Sequence, residues 1–179
     1  MGKKPADFGD REKPLQKEFT PVVIILDNLR SAYNTGNVFR IADAVRARRI
    51  VGCGYTPLPP HDKLSKTARG CDQMIECERA ADVSEAVKRY RGLGYFVYGI
   101  ETGDGMSSVW EVQLKFPAAF VFGNEALGIS SAAIPLCNQL ISLPCLGYKH
   151  SVNVGNCAAV IMYESLKQWR TYDRSDQYT

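Results

Sequence analysis

The sequence lacks the features that mark membrane and secreted proteins. No apolar run in its 179 residues approaches the ~20 that a helix needs to cross a bilayer. The first residues, MGKKPADFGDREKPLQKEF, contain no apolar h-region, so we expect no secretory signal. These absences predict a soluble, cytoplasmic protein without a membrane partner.

The sequence also lacks the spacing of a zinc site. It has six cysteines and two histidines, but no C-x-x-C pair. An intracellular protein of this length does not need a disulfide framework. We therefore expect no metal, and we expect most of the cysteines to be small buried hydrophobic residues.

Strong charge of one sign is absent as well, since 22 basic residues face 19 acidic ones. The distribution of the basic residues is more informative than their number. They cluster at Arg40, Arg46, Arg48, Arg49, Lys63, Lys66 and Arg69. Such clusters suit the phosphate backbone of a nucleic acid, which attracts cations regardless of base sequence. A solvated helix surface explains the same pattern equally well.

Apolar runs typical of buried strands alternate with helical patterns along the chain. The sequence predicts strands at 21–28, 48–55, 73–77, 95–101, 118–123 and 139–144. It predicts helices at 34–45, 63–70, 131–136 and 153–170, and one that is capped near Asp82 and runs to Arg91. This alternation predicts an α/β domain, with a mostly parallel sheet flanked by helices. We expect the domain to span 20–170, between a mobile N-terminal arm (1–19) and a C-terminal tail (171–179).

Polar residues follow one of the predicted strands in the stretch FVFGNEALGIS, which runs from Phe120 to Ser130. Ligands of open parallel sheets collect beyond the carboxyl ends of the strands. Gly123 would let a ligand approach the backbone there, and Asn124 and Glu125 could orient polar groups around it. A turn that needs glycine and asparagine for backbone reasons is the alternative.

Two further stretches place polar residues at the start of a predicted helix. YNTGNVFRIADA (33–44) carries Asn34, followed by Arg40, and helix N-termini attract anionic and polar groups. We expect Arg40 to lie near that end of its helix. LPCLGYKHSVNVGNCAAV (143–160) carries Ser151 and Asn153 before the last helix. Each stretch alone could be an ordinary helix cap.

Taken in order, the three stretches resemble the motifs of the SpoU (TrmH-like) RNA 2'-O-ribose methyltransferases of the SPOUT superfamily. The resemblance extends from about Pro21 to about Trp169, with departures at Val152 and at Gly155-Asn156. It implies an α/β fold with a C-terminal trefoil knot, in which residues from roughly 140 to 160 pass through an earlier loop. Fold statistics alone would argue against a knot. The resemblance also implies methyl transfer from S-adenosyl-L-methionine to a ribose 2'-hydroxyl of a structured RNA, without a metal.

The same resemblance implies roles for individual residues. Catalytic positions fall on Asn34, Arg40, Glu125, Ser151 and Asn153. Cofactor-binding positions fall on Ile100, Glu101, Gly123, Leu143 and Val152. RNA contacts are expected from Arg40, Arg46, Lys63, Lys66 and Arg69. We expect Arg40 to stabilise the developing alkoxide or to hold a phosphate, because a guanidinium is a poor base, and Glu125 to relay a proton or support its loop.

A homodimer is implied too, with the arginine of one protomer reaching toward the cofactor of its partner. Ile161, Met162 and Trp169 on the last helix could contribute to that interface, or could simply pack on the sheet. For the RNA, the sequence favours tRNA over rRNA as the substrate, because a compact protein without an added RNA-binding domain suits a compact RNA.

Two other functions compete with methyl transfer. Gly52-Cys53-Gly54 follows a predicted strand, as in nicotinamide-binding folds, but Pro57 stands where the third glycine of that motif belongs. A non-catalytic RNA-binding module is the second alternative. The sequence has no aromatic signature of the RRM kind, which weakens that alternative.

Overall fold

The computed structural model describes residues 19–103 and 105–175, so the predicted N-terminal arm lies almost entirely outside the described residues. In the described part, seven strands form one sheet. They are β1 (Thr20–Asp27), β2 (Ala47–Cys53), β3 (Cys77–Ala80), β4 (Phe96–Ile100), β5 (Ser107–Ser108), β6 (Ala118–Phe122) and β7 (Gln139–Ser142). Their order is β3-β2-β1-β6-β4-β7-β5, and the neighbouring strands run parallel. The predicted parallel α/β sheet is therefore confirmed.

Helices cover both faces of this sheet. They are α1 (Ala32–Val45), α2 (Asp62–Ala68), α3 (Cys71–Met74), α4 (Val83–Gly92) and α5 (Val154–Ser175), and a 3-10 helix spans Ile134–Leu136. The Asp82 side chain caps α4 as predicted, accepting a hydrogen bond from the backbone N–H of Glu85. Helix α1 begins two residues before its predicted start, and α5 continues past Arg170 to Ser175. No helix in this part of the chain is long and apolar enough to span a membrane.

The prediction of a strand at 73–77 is wrong. Residues Cys71–Met74 form the short helix α3, and the strand begins only at Cys77. Its position is set by pairing with β2, in which Ile50 lies opposite Cys77. A strand at this edge of the sheet is therefore defined by its neighbour and not by its own apolar pattern.

The central strands are buried on both faces, which explains their almost continuous apolar sequence. On one face, Ile24, Tyr98 and Phe120 pack with residues of α1 and α5. On the other face, Val23 and Val121 pack with residues of α4. The sheet is thus the middle layer of three, and a polar site is expected where its strands end.

Helix α5 uses two of its predicted interface residues inside its own protomer. Ile161 and Met162 are fully buried in the core beneath the helix. Trp169 is half-buried and packs on Phe116, with 5.4 Å between the ring centroids. Ile161 and Met162 thus pack on the sheet, as the alternative interpretation expected, and a contribution of this helix to a homodimer interface stays a prediction.

The strand order bears on the predicted knot. Strand β7 lies between β4 and β5, although β5 and β6 precede it in the chain. Strand β7 therefore lies between two strands that both precede it in the chain. This order is consistent with a C-terminal knot, and the knot itself stays a prediction.

The six cysteines are free, and only Cys53 is fully buried. The other five are half-buried, and four of them pack against the core: Cys71, Cys77, Cys137 and Cys157. The prediction of small buried hydrophobic residues is therefore confirmed in part. Burial raises the pKa of the Cys53 thiol to about 12 and that of Cys157 to about 11. These two thiols are therefore protonated at neutral pH and are poor nucleophiles.

Candidate active site

A cavity of about 510 Å³ opens beyond the carboxyl ends of β4, β6 and β7. Its size lies within the roughly 300–1,000 Å³ usual for small-molecule sites. Its lining includes all the residues predicted to bind the cofactor, namely Ile100, Glu101, Gly123, Leu143 and Val152. It also includes three residues predicted to be catalytic: Glu125, Ser151 and Asn153. The fold therefore brings together residues that are distant in the sequence.

Gly123 has a different reason to be glycine from the one predicted. A Cβ built there would lie 2.1 Å from the carbonyl carbon of Gly128 and 2.2 Å from the backbone nitrogen of Ile129. The space beside Gly123 is thus filled by the returning backbone of its own loop and not kept for a ligand. Gly123 lines the cavity through its main chain.

Asn124, which the sequence pointed to as a residue that could orient polar groups at this strand end, closes the loop. Its backbone exchanges two hydrogen bonds of 2.9 Å with Gly128. Its side-chain oxygen accepts hydrogen bonds from the N–H groups of Ala126 and Leu127. Its side-chain nitrogen donates to the Asn28 carbonyl at 2.7 Å and to the Tyr55 hydroxyl at 3.0 Å. With this number of bonds, Asn124 fixes the loop and joins it to the loops after β1 and β2.

The fully buried carboxylate of Asp27, at the end of β1, fixes the far side of the same loop. It accepts a hydrogen bond of 2.6 Å from the backbone N–H of Ser130. The sequence carried a signal for this residue, because PVVIILDN places an acid directly after a buried apolar run.

Glu125 connects the loop to the start of α1. One carboxylate oxygen accepts a hydrogen bond from the backbone N–H of Arg30 at 2.9 Å. The other accepts from the backbone N–H of Ser31 at 3.1 Å and from the side-chain nitrogen of Asn34 at 2.9 Å. These donors belong to the end of a helix whose free N–H groups favour an anion.

These contacts also govern the protonation of Glu125. Partial burial by itself would raise its pKa, but the hydrogen bonds from Arg30, Asn34 and Ser31 together outweigh that effect. The pKa of the carboxyl group therefore lies below its ordinary value of 4.5. Glu125 is ionised at neutral pH, and donors already occupy both of its oxygens.

Asn34 also bonds to Asn153, a residue of the third motif. Its side-chain oxygen accepts a hydrogen bond of 3.1 Å from the side-chain nitrogen of Asn153. The Asn153 oxygen accepts from the N–H groups of Gly155 at 3.0 Å and Asn156 at 3.3 Å, at the start of α5. A continuous chain of hydrogen bonds, which we call the Glu125–Asn34–Asn153 chain, thus joins the three motifs.

Glycine permits the close approach of the helices that carry this chain. A Cβ at Gly155 would lie 2.8 Å from the side-chain nitrogen of Asn37 on α1. A Cβ at Gly36 would lie 2.6 Å from the carbonyl oxygen of Leu64 on α2. The two glycines therefore let α5 and α2 pack directly on the first turns of α1.

Arg40 is not in the cavity of its own chain. Because α1 begins at Ala32, Arg40 lies in the third turn, about 12 Å along the axis from the first residue. The expectation that it lies near the helix start is therefore wrong. Arg40 is exposed and makes no hydrogen bond or ion pair with the residues that the structure describes.

The other residues predicted to contact RNA divide into two locations. Lys63, Lys66 and Arg69 are exposed on or next to α2, beside the first turns of α1. Arg46 follows the last residue of α1, about 20 Å from the helix start, and leads into β2 at the opposite edge of the sheet. Arg49 pairs with Glu76 and Glu78 and is a structural residue.

Three further predicted residues line the cavity, and two of them are exposed to solvent there. Ser151 and Val152 are exposed, Val152 by 43%. The Glu101 carboxylate accepts a hydrogen bond from the backbone N–H of Ile129, so this side chain supports the Asn124 loop. Among residues 19–103 and 105–175, no group of three or more histidine, cysteine or acidic residues could hold a metal ion.

The glycines after β2 form a turn and not a nicotinamide-binding motif. Gly54 has a φ of +57°, and the Asn28 side-chain oxygen occupies the space where its Cβ would lie. The next helix, α2, begins only at Asp62. The strand-to-helix turn that would bind a pyrophosphate is therefore missing at this position.

A parallel α/β sheet with polar loops around a cavity at its carboxyl edge defines a class of small-molecule-binding proteins. Comparison with known proteins identifies the family within that class. The SpoU rRNA methylase family matches residues 21–163. The chain belongs to this family.

Individual relatives agree with this assignment. The tRNA (guanosine(18)-2'-O)-methyltransferase of Thermus thermophilus is 28% identical over 160 residues, which cover 88% of this chain and 80% of that protein. An uncharacterized tRNA/rRNA methyltransferase of Synechocystis is 28% identical over 94% of this chain, but the match spans only 44% of its length. The structure of AviRb from Streptomyces viridochromogenes, a SpoU methyltransferase in complex with the cofactor AdoMet, superimposes with a TM-score of 0.77. It is 26% identical, over 93% of this chain and 66% of that one.

Proposed function

We propose that this chain transfers a methyl group from S-adenosyl-L-methionine to a ribose 2'-hydroxyl of a structured RNA. The observation that carries the proposal is the Glu125–Asn34–Asn153 chain beside the cavity. It joins three motifs that resemble those of the family, and it would have no reason to form if each were only a local turn or cap. The AdoMet complex of AviRb and the name of the Thermus enzyme support the same function.

The cavity fits the cofactor by its chemistry. Side chains of Ile100, Leu143 and Val152 provide apolar walls, and the main chain around Gly123 provides polar groups between them. Small-molecule sites usually combine apolar walls with a few polar anchors of this kind. When bound, S-adenosylmethionine supplies a methyl group that is already activated by its sulfonium charge.

In this proposal, Glu125 organises the site and does not relay protons. Its lowered pKa and its three hydrogen-bond donors make it a weak proton acceptor. Asn34 and Asn153 extend its hold to the start of α5 and so position the loop that carries Ser151. Ser151, exposed at the cavity, is left to contact the ribose.

In this proposal, Arg40 acts in the cavity of a second protomer. An exposed arginine outside its own cavity is suited to reach the cavity of a partner, where its charge would stabilise the alkoxide or hold a phosphate. The chain would then function as a homodimer. Light scattering at micromolar concentration tests this point, and a monomer that still transfers methyl groups would contradict it.

For the RNA, we propose tRNA over rRNA. The residues Lys63, Lys66 and Arg69 form a basic surface next to α1, sufficient to hold a compact RNA at the cavity. The Thermus relative, which this chain matches over 80% of its length, acts on tRNA. We propose that the protein acts on this RNA in the cytoplasm.

Two measurements test the proposed function. Calorimetry should detect binding of S-adenosylmethionine and no binding of NAD. Tritiated methyl groups should then pass from the donor to RNA, and fractionation should place them in tRNA. Binding of NAD alone would favour the nicotinamide alternative, whereas RNA binding without donor binding would favour a non-catalytic module.

A further inference from the structure

Tyr55 combines an exposed ring with a fixed orientation, close to the cavity. The residue follows β2, and 60% of its surface is exposed. Its hydroxyl accepts the 3.0 Å hydrogen bond from Asn124, a residue of the cavity wall. Its backbone N–H donates to the Asn28 side-chain oxygen at 3.3 Å. Both ends of the residue are therefore held while a large part of its surface meets solvent.

Core packing does not explain this arrangement. A tyrosine that served only to hold Asn124 could bury its ring, since exposing an aromatic face to water forgoes its hydrophobic stabilisation. A ring that is already fixed loses little conformational entropy when a planar group stacks on it. The arrangement is that of a preorganised platform.

The position of Tyr55 fits a path for RNA. Strand β2 lies two positions from β6 in the sheet, so the turn after β2 is about 10 Å from the end of β6 at the cavity. The basic residues Lys63 and Lys66 lie on the helix that follows Tyr55 in the chain. An RNA strand held by these lysines and entering the cavity would pass Tyr55.

We propose that Tyr55 is a positioning residue that stacks on an unpaired base of the RNA, at or next to the nucleotide to be methylated. This inference rests on the proposed function and adds a requirement to it: the substrate presents its target in a single-stranded loop. Unpaired bases stack readily on aromatic side chains, and stacking does not depend on which base is present. Tyr55 does not line the cavity, and Asn124 keeps its bond to the Asn28 carbonyl when Tyr55 is replaced, so we expect cofactor affinity to change little when the ring is lost.

The test compares Tyr55→Ala, which removes the ring, with Tyr55→Phe, which keeps the ring and removes the hydroxyl. The RNA probes are unfractionated tRNA, a short single-stranded oligoadenylate and an RNA duplex of the same length. Tyr55→Ala should weaken binding of tRNA and oligoadenylate by about tenfold, the loss expected for one base–aromatic stack, and leave duplex binding unchanged. Tyr55→Phe keeps the ring but loses the bond from Asn124 that fixes it, so it should bind single-stranded RNA less tightly than the unchanged protein and more tightly than Tyr55→Ala, with duplex binding unchanged. Leu93→Ala, which removes an exposed apolar side chain after α4, is the matched control.

The outcomes separate this inference from the proposed function. If Tyr55→Phe is as defective as Tyr55→Ala, the hydroxyl and not the ring matters, and the inference is wrong. If Tyr55→Ala binds single-stranded RNA normally, the inference is also wrong, while methyl transfer by the unchanged protein would still support the proposed function. Failure of the unchanged protein to bind either S-adenosylmethionine or RNA would overturn both. A loss of cofactor affinity in Tyr55→Ala would show a structural role instead.

Discussion

Replacement of Gly123 by alanine tests whether this glycine serves the loop or the ligand. The new Cβ would lie 2.1 Å from the Gly128 carbonyl carbon, where ordinary contacts begin at 3.4 Å. The opposing atoms are backbone, so no side chain can rotate away and the Asn124 loop must move by more than 1 Å. Overpacking of this kind costs about 1–3 kcal/mol.

For a domain of this size, that loss corresponds to a fall in Tm of roughly 2–12 °C. The moved loop also carries Glu125, so cofactor affinity should fall together with Tm. Thermal unfolding followed by circular dichroism, and calorimetry with S-adenosylmethionine, measure the two effects on the same protein.

Gly92→Ala is the matched control for this experiment. Gly92 ends α4, and a Cβ there would meet nothing within 4 Å. The same chemical change should therefore leave stability unchanged or raise it by up to about 1 kcal/mol. An unchanged Tm in Gly123→Ala together with weaker cofactor binding would refute our reasoning, because the space would then belong to the ligand.

Three further predictions concern charged residues. The pKa of Glu125 lies below its ordinary value of 4.5, so its ionised form stabilises the fold above that pH and the contribution is lost as the pH falls through the lowered pKa. The Tm difference between the unchanged protein and Glu125→Gln should therefore be constant at neutral pH and shrink as the pH falls below 4.5; a difference that persists in acid would show that ionisation is not involved. Arg40→Ala should abolish methyl transfer but keep donor affinity, whereas Arg48→Ala, at the amino edge of the sheet, should change neither; turnover by the Arg40 variant would remove Arg40 from the mechanism. Joint replacement of Lys63 and Lys66 by alanine should weaken RNA binding and make the negative slope of log affinity against log salt shallower by about 2. An unchanged slope would place the RNA elsewhere on the protein.

The fold was predictable where local pattern and tertiary environment agree. Strands buried on both faces must be apolar throughout, so β1 and β6 are evident in the sequence. The pattern failed at 73–77, where Met74 is 69% exposed in a helical turn while Ile75 is buried. When two adjacent residues are both apolar, the sequence alone does not show which of them faces the core.

The site was predictable in its residues but not in its contacts. The motifs indicated Glu125 and Asn153, yet no local pattern could show that Asn34 connects them across 91 and 119 residues of sequence. For the same reason the sequence pointed to Asn124 but not to its partner Tyr55, since their shared hydrogen bond spans 69 residues. Such partners are determined by the strand order of the sheet.

The claim on which this account depends is that the three motifs form one site for the methyl donor. A crystal structure of the protein with S-adenosylmethionine tests it most directly. We expect the donor between Gly123, Leu143 and Val152, with the Glu125–Asn34–Asn153 chain intact beside it. A donor bound on another face of the molecule, with this cavity empty, would contradict the account.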